Sequence, residues 1–173
     1  SNTGFQNLMG DNNLRYTIST SLNRLDLAFN GSVDFRSTNF TLNSNQWHSV
    51  ITTFDGSLSQ ANRLKVYVDG VQVTNDLSGT TSTTLTASGN FAIGRRGSFS
   101  QKEWNGFIDE VAIWNSVQDV NSIYNGGVPT TITGATNYYR MGDGDTFPTI
   151  TDNSGSNNGT MTNMDSGDIV EDV

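Results

Sequence analysis

The sequence contains no cysteine, two prolines and one histidine, and each shortage limits what the protein can be. Without cysteine there is no disulfide framework, and the redox compartment cannot be inferred from it. A single histidine with no cysteine also excludes the usual zinc ligand sets. A chain of 173 residues needs no such cross-links, because a domain of this length buries about 70% of its unfolded surface.

Positive charge is scarce as well. Nine lysines and arginines face 17 aspartates and glutamates, which gives a formal net charge of −8. Phosphate neutralisation requires many cations, so this balance argues against nucleic acid and against anionic membranes as partners. No segment approaches the roughly 18 consecutive apolar residues of a membrane span. An acidic chain is compatible with divalent cations and with neutral glycans.

Short β-type segments separated by Asn-Gly, Asp-Gly and Ser/Asn-rich turns dominate the sequence. The clearest segment is 64–73, where apolar residues alternate on both sides of Asp69-Gly70. Because Asp-Gly tolerates the positive φ angles of a two-residue turn, this pattern predicts a β-hairpin. Further strands are predicted at 16–19, 25–29, 33–36, 47–54, 83–87, 91–94 and 107–114, the last of them central in a sheet.

One short helix is predicted between Ser116 and Gly126. Ser116 and Asp119 form a capping pattern, apolar residues recur on one face, and Gly126-Gly127 ends the helix. Many short strands with a single short helix predict an all-β sandwich or barrel.

Three ordered stretches carry a family pattern: Asn45-Gln46-Trp47-His48-Ser49-Val50, then Leu64-Lys65-Val66-Tyr67-Val68-Asp69-Gly70, then Phe91-Ala92-Ile93-Gly94 followed by 105–115. Together they resemble the laminin-G-like domains of the concanavalin-A-like lectin/glucanase superfamily, and the resemblance covers about 47–129. It implies a jelly-roll of two curved antiparallel sheets. It also implies frequent calcium binding and frequent roles in adhesion to glycans or proteins.

Residues 137–173 are interpreted as a C-terminal extension that packs on the sandwich of a single domain spanning 1–173. The segment from Tyr138 to Thr160 looks like one that such domains more often carry at their start, and no opening strand is evident before Phe5. A sandwich with neighbouring termini tolerates that permutation. Because the chain begins at Ser1 without Met, we expect a module of a larger multidomain protein that is extracellular or virion-associated.

Asp109 is the first candidate site residue. Counting by twos along its predicted strand places Asp109 on one face with Phe107, Val111 and Ile113. A carboxylate on an apolar face must be paired, hydrogen-bonded or bound to a metal. The resemblance implies a calcium ligand here, with Asp152 of the Asp-x-Ser-Gly loop as a second ligand. The alternative is that Asp109 only accepts backbone N–H bonds from a neighbouring loop.

Aromatic side chains could stack on sugar rings. Trp104 is the preferred ligand-binding candidate, because it lies in the polar stretch 101–105. Tyr67, Phe99 and Trp114 are the other candidates. For any one of them the alternative is core packing.

Catalysis is not expected. Glycoside hydrolysis needs two carboxylates about 5 to 9.5 Å apart. The glucanase relatives place theirs on one strand as Glu-x-Asp-x-(x)-Glu, a spacing that Glu103, Glu110 and Glu171 do not provide. The sequence therefore predicts a non-catalytic adhesion module that binds carbohydrate. The alternatives are a purely structural or protein–protein module and, third, a degenerate glycosidase.

A structural calcium held partly by Asp109 would make stability depend on calcium. Binding to the folded state alone adds about 2.7 kcal/mol at one hundred times Kd. For a domain of this size we expect excess calcium to raise the melting temperature above that in EDTA by roughly 5 to 10 °C. Thermal unfolding of the parent and of Asp109→Ala tests this. Equal melting in both buffers excludes the ion, and equal stabilisation of both proteins places the ion away from Asp109.

Overall fold

The computed structural model describes residues 4–19, 24–29, 32–37, 43–75, 81–97, 102–128 and 131–170. The chain divides into two compact units. Unit 1 comprises residues 1–106 and 120–127, and unit 2 comprises 107–119 and 128–173. The assignment of 1–173 to one domain stays a prediction. Among the described helices, none is both long and apolar enough to cross a membrane.

The described part of unit 1 is a two-layer antiparallel structure. The layers are ordered β4-β3-β2-β1-β8 and β5-β6-β7. Their strands are β1 Phe5–Gly10, β2 Arg15–Ser19, β3 Arg24–Phe29, β4 Ser32–Arg36, β5 Val50–Phe54, β6 Leu64–Val68, β7 Val71–Val73 and β8 Ala92–Ile93.

Both layers contribute side chains to one apolar core. Leu25 and Leu27 of the five-stranded sheet and Val66 of the three-stranded sheet have no exposed surface. The rings of Phe29 and Phe54, one from each sheet, have centroids 6.0 Å apart. Burial of apolar surface between two sheets is the main force that stabilises such a sandwich. The predicted all-β sandwich of antiparallel sheets is therefore confirmed.

The hairpin at 64–73 has the predicted form. Val68 of β6 pairs with Val71 of β7, and the φ angles of Asp69 and Gly70 between them are 50° and 77°. These left-handed values belong to the two-residue turn that matches the strand twist. A Cβ at position 70 would lie 2.5 Å from Cδ1 of Tyr124, so glycine is also required by packing.

Two short helices lie in the part of unit 1 that the structure describes, and one of them was not predicted. α1 is Gln60–Arg63, and α2 is Val120–Tyr124, which a 3-10 turn continues to Gly127. The helix predicted from Ser116 therefore starts later than expected. The Ser116 hydroxyl accepts a hydrogen bond from the Gln118 side chain at 2.9 Å, and residues 116–119 are not helical.

Unit 2 consists of the C-terminal tail and the segment 107–119, which precedes α2 in the chain. Its described strands are β9 Val111–Ile113, β10 Asn137–Tyr139, β11 Thr149–Ile150 and β12 Gly159–Thr160. β10 pairs antiparallel with β9, and β11 pairs antiparallel with β12. The tail thus supplies the strand that lies beside β9.

The strand predicted over 107–114 is wrong in extent and place. Only Val111–Ile113 of this segment joins a ladder, because Glu110 just before it has a φ of 52°. Among the described residues, the sheet there has two strands. Residues 107–110 are not in a strand, and Phe107 is 72% exposed and Ile113 37% exposed, so the predicted strand face shared by Phe107, Asp109, Val111 and Ile113 does not form.

Two further differences concern strands of unit 1. Residues 83–87 were predicted as a strand but are not in one, and they are all exposed. Conversely, β1 was not evident from the sequence. Its register against β2 shifts between Asn7 and Met9, and this bulge breaks the two-residue alternation that marks a strand.

The hairpin offers a matched test of the core. Val66 is fully buried and Val71 is 67% exposed, on adjacent strands of one sheet. We expect Val66→Ala to lower the free energy of unfolding by about 2 kcal/mol, because it removes two buried methyl groups and leaves a cavity. Val71→Ala should change it by less than about 0.5 kcal/mol. Urea unfolding measures both, and equal effects would contradict this core.

Candidate functional site

The exposed tryptophan of this protein is Trp47, which stands just before β5. Its exposed fraction is 61%, whereas the other two tryptophans are half-buried. The preceding residues, Asn43-Ser44-Asn45-Gln46, are all exposed and carry amide or hydroxyl side chains. An apolar ring among hydrogen-bonding groups matches the mixed character of a sugar, which has apolar C–H faces and polar hydroxyls. We call residues 43–47 the Trp47 loop.

His48 anchors the Trp47 loop to the β6–β7 turn. The His48 side chain is only 10% exposed, and its Nδ1 lies 2.8 Å from Oδ2 of Asp69. The other carboxylate oxygen of Asp69 accepts a hydrogen bond from the backbone N–H of Ser49 at 2.9 Å. The Asp69 N–H donates in turn to the Ser49 carbonyl at 3.0 Å. The start of β5 is therefore tied to the hairpin turn by side-chain and backbone contacts.

The second nitrogen of His48 closes the loop. His48 Nε2 lies 3.2 Å from both the backbone N and the backbone O of Asn43. A neutral ring that donates from Nδ1 to Asp69 accepts the Asn43 N–H at Nε2, whereas a protonated ring donates to the Asn43 carbonyl. Either form joins the first residue of the Trp47 loop to the residue after its last. These contacts restrain the loop, and such restraint lowers the entropy cost of binding a ligand.

Trp104, the ligand-binding residue predicted from sequence, lies in a different environment. It is half-buried and packs against the apolar core of unit 1. A Cβ at Gly106 would lie 2.9 Å from the indole nitrogen, so the chain passes close to the ring. This matches the core-packing alternative. Tyr67 and Trp114 are also half-buried, and Phe99 lies outside the described residues. Sequence reasoning missed Trp47, although the four polar residues before it were visible.

Asp152 is a buried centre of hydrogen bonds in unit 2. Asp152 is 5% exposed, and its carboxylate accepts five hydrogen bonds. The donors are the backbone N–H groups of Tyr138, Ser154, Gly155 and Asn157 and the side-chain amide of Asn137, at 2.7 to 3.1 Å. Burial raises the pKa of this carboxyl, but the hydrogen bonds lower it more, and the net pKa is far below the usual range.

Asp109 is half-buried, and its Oδ1 accepts a hydrogen bond from the backbone N–H of Glu110 at 2.8 Å. This contact is of the kind named in the alternative, a carboxylate that receives backbone N–H groups. It comes from the next residue and not from another loop. The contact accompanies the left-handed conformation of Glu110.

The residues around Asp152 do not fit a calcium ion. Calcium prefers six to eight oxygen ligands, whereas the groups that face both Asp152 oxygens are N–H donors. Within the described ranges, no group of three or more Asp, Glu, His or Cys residues could hold a metal ion. The ligand pair of Asp109 and Asp152 stays a prediction, which calcium-dependent unfolding tests.

Glu110 belongs to a second polar cluster of unit 2. The Tyr138 hydroxyl donates a hydrogen bond to Glu110 Oε2, Arg140 Nε lies 3.6 Å from Glu110 Oε1, and Arg140 also pairs with Asp143. Burial, the hydrogen bond and the Glu110 charge all raise the pKa of Tyr138. The phenol therefore remains a proton donor to Glu110, and this cluster fixes the strand β10 beside β9.

The family model described as the concanavalin A-like lectin/glucanases superfamily, of the laminin G type, matches residues 1–123. The chain belongs to this superfamily. No curated protein and no solved structure gives a match. Laminin-G-like domains are generally non-catalytic binding modules, and the matched region contains the Trp47 loop with its anchor.

The Asp152 centre predicts a defined response to acid. Its lowered pKa adds stability that is present above the unfolded value of about 3.9 and is lost as the pH falls through the folded value. At neutral pH we expect Asp152→Asn to lower the free energy of unfolding by about 2 kcal/mol, because the new NH₂ group faces donors. Below about pH 4 the difference from the parent should shrink.

Urea unfolding at several pH values measures this difference. Glu103→Gln is the matched control, since it also removes one negative charge but at an exposed position. A difference between parent and Asp152→Asn that stays constant from neutral to acid pH would contradict the role given to this carboxylate.

Proposed function

We propose that this protein is a non-catalytic carbohydrate-binding module whose ligand contacts the Trp47 loop. The observation that carries the proposal is the 61% exposure of Trp47 beside four exposed polar residues. An indole ring can stack on the apolar face of a sugar, and the neighbouring amides can hydrogen-bond its hydroxyls. Membership of the concanavalin A-like superfamily supports a binding role.

The rigid anchor supports the same proposal. Because His48 is bonded to both Asp69 and Asn43, little order has to be imposed on the loop backbone when a ligand binds. The ligand is proposed to be a surface glycan, and the parent protein an extracellular or virion-associated multidomain protein. A nucleic-acid ligand is not proposed, because the net charge of −8 would repel phosphates.

Binding is proposed to occur without hydrolysis. A hydrolase needs an acid and a second carboxylate that face one sugar. Glu110 is instead engaged by the Tyr138 hydroxyl and lies 3.6 Å from Arg140. With both contacts in place, Glu110 is not available to act as a general acid on a substrate.

A protein–protein module is the second candidate, and exposed apolar residues of unit 2 favour it. Phe107, Val117 and Val128 are 72%, 55% and 61% exposed. A contiguous exposed apolar patch is typical of contacts with other proteins, and this candidate requires that the three side chains form one. This candidate predicts binding that depends on Phe107 and not on Trp47.

A glycan array probed with the whole chain and with Trp47→Ala separates the two candidates. We expect the parent to bind a set of glycans, and Trp47→Ala to bind them about 30-fold more weakly, as for an interface residue worth about 2 kcal/mol. The melting temperature should not change, because the side chain is exposed.

Trp104→Phe is the control, since it alters a half-buried tryptophan that packs against the core and should keep the glycan affinity of the parent. Equal glycan binding by the parent and Trp47→Ala would refute the site. Binding of no glycan by the parent would refute the function itself.

A further inference from the structure

His48 is the single histidine of the chain, and its ring is bonded on both sides. Nδ1 lies 2.8 Å from Oδ2 of Asp69 in the β6–β7 turn. Nε2 lies 3.2 Å from the backbone N of Asn43 and 3.2 Å from the backbone O of the same residue. The His48 side chain is 10% exposed. Protein atoms therefore meet both ring nitrogens, and the protonation state of the ring decides which of these atoms each nitrogen can bind.

Asp69 sets the tautomer of the neutral ring. An ionised carboxylate only accepts hydrogen bonds, so the nitrogen that faces it must carry the proton. The carboxylate is held in place, because its Oδ1 accepts the Ser49 N–H at 2.9 Å and the Asp69 N–H donates to the Ser49 carbonyl at 3.0 Å. With the proton on Nδ1, Nε2 of His48 is an acceptor and binds the Asn43 N–H.

The backbone of Asn43 is the part of the Trp47 loop that senses the charge of the ring. While the ring is neutral, Nε2 has no proton to donate, and the Asn43 carbonyl can accept a hydrogen bond from a bound molecule. Asn43 is exposed, so such a molecule can reach it. In the protonated ring both nitrogens donate, so Nε2 binds the carbonyl and no longer accepts the N–H. Because both Asn43 atoms already lie 3.2 Å from Nε2, this exchange needs little movement.

Few titratable groups surround the ring. Asp69 faces it from the β6–β7 turn, while β5 and the Trp47 loop carry no titratable side chain. Of the elements packed on this turn, β6 carries Lys65 and Tyr67, and α2 carries Tyr124. Within the described part of the chain, no hydrogen bond or ion pair joins these three side chains to His48. Asp69 is therefore the charged partner of the ring among the described residues.

We propose that His48 is a pH-sensitive switch of the Trp47 loop: the neutral ring leaves the Asn43 carbonyl to a hydroxyl of a bound neutral saccharide, and the protonated ring occupies that carbonyl itself. This inference rests on the proposed carbohydrate-binding function and adds its regulation. Histidine is the side chain that ordinarily changes charge between about pH 5 and 8. Binding is therefore tighter at neutral pH than in mild acid. Asn43 and Trp47 are the two ends of one five-residue loop, so one saccharide can contact both.

Nuclear magnetic resonance of the ¹⁵N-labelled whole chain tests the switch without a ligand. The imidazole ¹⁵N shifts of the single histidine should place the proton on Nδ1 at about pH 8 and show both nitrogens protonated in mild acid. The amide proton of Asn43 should shift with the same midpoint, because it loses its acceptor. The Gly94 amide, which donates to the Leu8 carbonyl, is the control and should not follow. A neutral ring protonated on Nε2, or an Asn43 amide that does not respond, would overturn the proposal.

Two variants assign the response to the ring and its partner. His48→Gln cannot take up a proton in this pH range, so its Asn43 amide shift should not depend on pH. Asp69→Asn has a neutral amide that can donate or accept, so the neutral ring should then populate both tautomers. If either variant fails to fold, the imidazole and Asn43 shifts of the parent decide.

A glycan array of neutral oligosaccharides, probed with the whole chain at about pH 5.5 and pH 8, measures the effect on binding. Neutral oligosaccharides keep their charge over this range, and carboxylates ordinarily titrate below it. We expect the parent to bind about fivefold more weakly at the lower pH, which corresponds to the loss of one hydrogen bond. His48→Gln should bind equally at both. Titration of the amino terminus near this range would persist in that variant and is thereby separated.

The outcomes distinguish the switch from the function on which it rests. Equal affinity of the parent at both pH values overturns the switch and leaves the proposed function standing. A pH dependence that persists in His48→Gln also overturns the switch, because another group then causes it. Binding of no oligosaccharide at either pH refutes the proposed function, and its regulation with it.

Discussion

Aspartate carboxylates that accept backbone N–H groups hold the irregular parts of this structure together. A buried N–H without a hydrogen-bond partner costs free energy. Long connections between short strands contain many N–H groups that no strand ladder satisfies. Asp11, Asp69 and Asp152 each receive two or more hydrogen bonds and tie together backbone segments beyond the ends of the strands. Remove one, and several donors lose their partner at once. With no disulfide to restrain the loops, the fold depends on these centres.

The same aspartates account for part of the acidic composition. A surplus of carboxylates suggests a metal site or a highly charged surface, and the sequence alone cannot separate these from structural use. Asp11 is 1% exposed and Asp152 is 5% exposed, so both contribute to net charge while remaining inside the protein. The proposed ligand contacts, Trp47 and its amide neighbours, are accordingly neutral side chains.

The fold could be predicted where its determinants are local, and much less of the site could. The hairpin at 64–73 follows from alternation and an Asp-Gly turn, all within ten residues. The prediction of a strand over 107–114 was wrong because the pattern of apolar residues does not indicate the left-handed conformation of Glu110. Trp104 and Trp47 both stand beside polar residues, and only the packing of the two sheets decides which is covered. Exposure is a property of the tertiary structure, so the sequence could name tryptophan as a candidate but could not show which tryptophan is exposed.

The contact between Gly70 and Tyr124 has a consequence for the order of assembly. A helix of five residues is too short to persist alone, because nucleation costs more than its few hydrogen bonds return. The ring of Tyr124 lies against the glycine of the β6–β7 turn, where no larger residue would fit. We infer that α2 forms only on a completed hairpin, so it reports a late step of folding. Amide exchange that protected α2 before the hairpin would reverse this order.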